Sequence, residues 1–145
     1  MEYRNLATPA PENALTGVLQ NGVASDRPYL VYDASHWIYQ GSGLSTYTGN
    51  GTSGVITSGA GQNALPGIVG YEADRMMSDQ PKPTAVGDTY VTLSRSPFST
   101  MPESNEDHGA ARTEHQESTV YQAPSGAWVF DAGSIKWSWG LYNDI

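Results

Sequence analysis

The stretch "GAWVFDAGSIKWSWGL", Gly126 to Leu141, holds three of the chain's four tryptophans within twelve residues. Trp128 and Phe130 alternate with Val129 and Asp131, and Trp137 and Trp139 alternate with Lys136 and Ser138. A period of two is the pattern of strands, with Ala132-Gly133 as the turn between them. Two large aromatics on one face of each of two neighbouring strands suit the packed side of a sheet, where cross-strand pairs contribute up to ~1 kcal/mol each. They also suit an exposed stacking platform for a carbohydrate. Burying a ring is worth more than leaving it wet, which favours the packed side.

Outward from this stretch the same period recurs. "STVYQAP" (Ser118 to Pro124) precedes it, and "APSG" marks another turn. Three closely spaced strands are therefore expected from Ser118 to Leu141. "DTYVTLSRSPF" (Asp88 to Phe98) alternates as a half-buried strand. "RPYLVYDASHWIYQ" (Arg27 to Gln40) is apolar on both faces and suits a central strand. "LPGIVGYEADRMM" (Leu65 to Met77) reads as a short strand ending in charged residues. "ATPAPENALTG" suits a helical turn, with Pro11 near its start. Gly41 to Gly67 is a Gly/Ser/Thr/Asn-rich loop with a hairpin signal at Asn50-Gly51. Ser99 to Ser118 is polar and acidic, and is expected to be a mobile excursion with a helical turn around Ala110 to His115.

The composition agrees with that pattern. Sixteen glycines and nine prolines in 145 residues leave little room for long helices, since each costs about 1 or 3 kcal/mol inside one. Nine tyrosines and four tryptophans favour strands. The expectation is one all-β domain over residues 1–145, a sandwich or strongly twisted antiparallel sheet. It should have seven to nine short strands, long loops and one or two short helical turns.

The net charge is -8. That argues against nucleic acid, whose binding draws on basic residues that neutralise phosphates, and against anionic membrane surfaces. With no cysteine there is neither a disulfide nor a thiolate metal site, and the compartment stays open. No apolar run approaches the ~20 residues of a membrane span. "MEYRNLATPAPENAL" lacks the basic-then-apolar order of a signal peptide.

Several residues are candidates for chemistry. In "DASHW", Asp33 and His36 would lie on opposite strand faces, so a dyad needs a turn at Ala34-Ser35. A histidine packed beside Trp37 is the simpler expectation. In "TEHQES", His115 and Glu117 would share a face and could give two arms of a metal site, but not the third or fourth ligand. In "GYEADR", Tyr71, Glu72 and Asp74 could form a polar centre with His36, although an Arg75 ion pair pinning the strand end is simpler. Trp37, Trp137 and Trp139 are the candidates for ligand stacking.

Four segments, "DASHWIYQGSGL", "LPGIVGYEADR", "TLSRSPF" and "STVYQAPSGAWVFDAGSIKWSWGL", occur in this order. Together they resemble the C-terminal region of proteins similar to the large (beta) subunit of N,N-dimethylformamidase. Ser134 stands where that family more often has threonine. The resemblance implies the tail of a family of longer multidomain proteins with an α/β portion upstream, here either a cut fragment or a reduced stand-alone protein. It also implies formamide hydrolysis at an iron held by two tyrosines and a glutamate, expected before this segment, so no cofactor is assigned here. The leading expectation is a non-catalytic structural or interaction domain that docks on a catalytic portion or self-assembles as a homo-oligomer. The alternatives are a carbohydrate-binding module with a polysaccharide partner, or a small hydrolase or metal site around His36 and Glu72.

Overall fold

A computed structural model of the chain describes residues 12–20, 22, 26–46, 64–99 and 113–141. The hairpin signal at Asn50-Gly51, Pro11, and Ala110 to Arg112 of the expected helical turn lie outside these residues. One helical turn, α1 (Asn13–Thr16), is followed by seven strands: β1 (Leu19–Gln20), β2 (Arg27–Leu30), β3 (Ala64–Val69), β4 (Asp74–Arg75), β5 (Val91–Ser99), β6 (Thr113–Gln122) and β7 (Trp128–Asp131). Among the described residues there are also two 3-10 segments, at Trp37–Tyr39 and Ile135–Leu141. All strand pairs are antiparallel, and the fold is all-β. No described helix is long and apolar enough to cross a membrane.

β5, β6 and β7 form a three-stranded sheet in that order, and β2 pairs with β3. A bulge joins the two sheets. Thr92 faces Thr119 and Ser94 faces Ser118, so Leu93 is an extra residue on β5. The bulge frees the Leu93 carbonyl, which accepts from Tyr32 N at 2.8 Å and from the Tyr39 hydroxyl at 3.0 Å. Leu30 N donates to Ser96 Oγ at 2.9 Å, and Val31 bridges Ser94. β2 is thereby stitched along β5. A second irregularity lies in β3 around Pro66-Gly67, where Val69 faces Arg27 and Leu65 faces Tyr29. Proline cannot donate to a ladder, so a bulge accommodates it.

The apolar core lies on β2 and β3, where Tyr29, Val31, Ile68 and Val69 are buried together. β5 and β6 bury Leu93, Phe98 and Val120 and, beside them, a hydrogen-bonded polar set. Ser94, Ser96, Gln116, Ser118 and Thr119 are fully buried. Gln116 Nε2 donates to Ala132 O at 2.9 Å, Ser118 Oγ donates to the same carbonyl at 2.8 Å, and Ser94 Oγ meets Ser118 Oγ at 2.9 Å. Each buried polar group thus finds a partner, without which burial would cost about 1–3 kcal/mol.

α1 is a single turn and draws its stability from outside. Its last carbonyls need partners, and hydroxyls supply them: Tyr121 to Leu15 O, Thr119 to Thr16 O and Tyr90 to Gly17 O. Asn13 is buried and clamps a distant segment, accepting from Met77 N at 2.9 Å and donating to Pro81 O at 2.9 Å.

Three expectations are corrected. Ser99 to Ser118 is not wholly an excursion, because β6 begins at Thr113 and His115 is a strand residue. Its charges fit a strand because each finds a partner: Glu114 pairs with Arg75, and Glu117 with Arg95 and Met76 N. "SIKWSWGL" is a 3-10 segment and not a third strand. Arg27 to Gln40 is not one long strand, since β2 stops at Leu30 and the chain turns at Ala34-Ser35.

Gly133 explains where β7 ends. Its φ is +64°, and a Cβ there would lie 2.0 Å from Glu117 O. Only glycine permits both the left-handed backbone and the contact with β6. The chain leaves the sheet at this point, and Ser134 Oγ locks onto Gly70, accepting from its N–H at 2.9 Å and donating to its carbonyl at 3.0 Å.

Candidate functional site

The turn at Ala34-Ser35 does not produce an Asp33–His36 dyad. Asp33 Oδ1 accepts from Ser35 N at 3.0 Å and from Ser35 Oγ at 2.6 Å. That is an Asx turn, with the carboxylate spent on its own backbone. His36 Nδ1 accepts from Ile38 N and caps the following 3-10 turn. Its ring lies 5.4 Å from that of Trp37 and 6.3 Å from that of Trp128.

Trp37 and Trp128 meet edge to face at 5.1 Å. Trp37 is 52% exposed and Trp128 44%. β7 alternates as the sequence suggests, with Trp128 and Phe130 on its more exposed face. That face is not the packed side of the sheet. Phe130 is also exposed and meets Trp137 at 5.3 Å. Trp137 is half-buried and packs against the β2–β3 core. His36, Trp37, Trp128 and Phe130 therefore give β7 an aromatic outer surface. An exposed contiguous apolar surface of this kind marks interaction sites.

Trp139 goes elsewhere. With about three residues per 3-10 turn, positions two apart diverge instead of sharing a face. Trp137 turns inward and Trp139 outward, where its ring meets that of Tyr71 at 5.8 Å. Tyr71 has φ +62°, and Glu72 N donates to Gly70 O at 2.8 Å. A bond from i+2 to i across a positive φ is the rarer, strained form of the γ-turn. For a bulky residue this backbone costs about 1–3 kcal/mol.

The four residues expected to share a polar centre have these neighbours. His36 touches Trp37 and Trp128, Tyr71 touches Trp139, Glu72 follows the tight turn, and Asp74 lies in β4 opposite Gln20.

His115 and Glu117 do share a site. They line a cleft of about 270 Å³ with Arg75, Arg95, Asp79 and the Met76–Ser78 segment. Three of its charged side chains, Arg75, Arg95 and Glu117, are engaged in pairs. Glu117 accepts from Met76 N at 2.9 Å and pairs with Arg95 at 3.4 Å, while Arg75 pairs with Glu114. Among the described residues, no three His, Asp or Glu side chains converge as a metal would require. The iron ligands implied by the resemblance are expected before this segment; within it, the hydroxyls of Tyr29 and Tyr39 meet at 2.8 Å. Tyr39 gives its proton to Leu93 O, so Tyr29 must donate to Tyr39. Burial, then the neighbouring Tyr29 and Asp33, hold Tyr39 far above the usual phenol pKa.

Comparison with known families now places the chain. The family described as "N,N-dimethylformamidase beta subunit-like, C-terminal" matches residues 1–145. The chain belongs to this family. No curated protein and no solved structure matches it. Within this dimethylformamidase-like C-terminal domain, the motif with the longest resemblance is also the one that builds the aromatic surface. "GAWVFDAG" supplies Trp128, Phe130 and the Gly133 turn, and "SIKWSWGL" supplies Trp137 and Trp139. Sequence reasoning missed the Trp37–Trp128 contact, because 90 residues separate the two and alternation cannot show which strands meet. It missed the buried Asn13 clamp for the same reason.

Proposed function

We propose that this domain is a non-catalytic interaction domain. It docks, through the outer surface of β7 and the Trp37–Tyr39 turn, on the catalytic portion of a dimethylformamidase-like protein. The observation that carries this reading is the exposed Trp37–Trp128 pair beside His36, continued by Phe130. Trp and Phe are among the residues enriched where proteins associate, and truncating such anchors accounts for most of an interface's energy. Two further observations support it. The family description places such domains at the C-terminal part of a larger subunit. Arg75, Arg95 and Glu117 of the cleft near His115 are engaged in structural pairs.

Sedimentation of the domain mixed with the separately expressed catalytic portion tests this. A one-to-one complex is expected, with tryptophan emission shielded from acrylamide. Trp37→Ala and Trp128→Ala should each weaken it at least tenfold while far-UV circular dichroism stays unchanged. Association that ignores both substitutions, or that occurs only between copies of the domain, would overturn the proposal.

A further inference from the structure

The strained turn at Tyr71 belongs to a different part of the surface and does not rest on the docking proposal. Two segments hold it. Ser134 Oγ bonds both polar groups of Gly70, Asp74 N donates to Gly133 O at 2.9 Å, and Ala73 N donates to Gly22 O at 3.0 Å. On its other side, a Cβ on Gly70 would meet Lys136 Cδ at 2.9 Å and Asp26 Oδ1 at 3.0 Å. Lys136 pairs with Asp26 and lies 5.3 Å from the centre of the Trp139 ring.

The surrounding structure thus over-determines a backbone shape that tyrosine adopts at a cost. A turn that only reversed the chain would be met more cheaply by glycine at position 71. The ring gains little burial in return: Tyr71 is 56% exposed and Trp139 is 52% exposed. A strained residue whose side chain is displayed outward is a candidate for function.

We propose that Tyr71 and Trp139 form a stacking subsite for a sugar ring of a neutral polysaccharide. The two rings, 61° apart in plane, offer a bent apolar surface to the C–H face of a pyranose. Polar groups stand beside Trp139 to meet the sugar's hydroxyls: the largely exposed Asp26 carboxylate and the Lys136 ammonium paired with it. Apolar surface with a few placed polar groups is the make-up of a small-ligand site. Two rings fall well short of the ~800 Å² per partner of a stable protein interface. The Lys136 ammonium already occupies the neighbourhood of Trp139, which disfavours a cationic ligand there. A net charge of -8 disfavours a polyanion.

Affinity electrophoresis in gels containing xylan, glucomannan, mixed-linkage β-glucan or dextran tests the site, with tryptophan fluorescence titration as the second readout. Retardation by at least one of these polysaccharides is expected. Tyr71→Ala and Trp139→Ala should each reduce affinity at least tenfold, and Val86→Ala, an exposed apolar control, should leave it unchanged. Tyr71→Gly separates ring from backbone: it should lose binding while raising the thermal midpoint, because the strain is released. Folding therefore cannot explain the loss. No retardation by any of the four, or retardation that survives Tyr71→Gly, overturns the proposal. So would a midpoint that falls in Tyr71→Gly, since the ring would then serve the fold.

Discussion

β6 and β7 are neighbours in one sheet and opposite in chemistry. β6 buries Gln116, Ser118 and Thr119, residues usually found outside. β7 exposes Trp128 and Phe130, residues usually found inside. The difference lies in position and partners. β6 is central, and its polar groups are satisfied by Ser94, Ala132 O and the carbonyls of α1. Among the described residues β7 is an edge strand, and its aromatic face touches Trp37, His36 and Trp137. Polarity alone did not decide burial in this sheet.

Four experiments probe that contrast, in order of expected effect. Gly133→Ala attacks the turn that separates β7 from the 3-10 segment and seals β6. With a Cβ 2.0 Å from Glu117 O and a left-handed backbone, a loss of roughly 3 kcal/mol or more is expected by urea denaturation. A near-neutral result would mean the turn relaxes freely. Gln116→Leu keeps the volume of the buried β6 side chain but removes its bonds to Ala132 O and Ser118. A loss of about 1–3 kcal/mol is expected, and a gain would show that the polar interior of β6 serves something other than stability.

Alkali should loosen the hydroxyl caps on α1. Burial first, then Glu117 and Asp131, raise Tyr90 from the ordinary 10 to about 12. The unfolded phenol ionises first. The contribution is therefore intact below pH 10 and lost as pH rises through about 12. Tyr39, raised for the same leading reason, acts in the same direction. Urea midpoints measured from pH 8 to 11.5 should be flat up to about 10 and then fall, and Tyr90→Phe should make the fall shallower. The smallest effect is expected on β7. Trp128→Ala removes a 44% exposed ring and should cost less than about 1 kcal/mol, the reverse of a core tryptophan at 3–5 kcal/mol. A core-sized loss would place Trp128 in the stability of the sheet.

Much of the fold was legible in the residues. The alternation of Val91 to Phe98 and of Trp128 to Asp131 marked β5 and β7, and the Gly-Pro-rich composition excluded long helices. Three features were hidden for physical reasons. Thr113 to Ser118 looks like a solvated acidic loop until Arg75, Arg95 and Met76 N are brought to its carboxylates. Trp137 and Trp139 are spaced as a strand would space them, and two positions cannot distinguish that from a 3-10 turn. The candidate residues Tyr71 and Trp139 were visible singly, but their contact spans 68 positions of chain.

The sequence by itself determined the all-β class, the antiparallel economy of short strands and the family, because these follow from composition, from local periodicity and from the order of motifs. Tertiary structure decided which rings face water, which serines and glutamine lie inside, and which backbone is strained. Those outcomes depend on what each side chain meets across the sheet, and that is set by register, by the Leu93 bulge and by the single glycine at position 133.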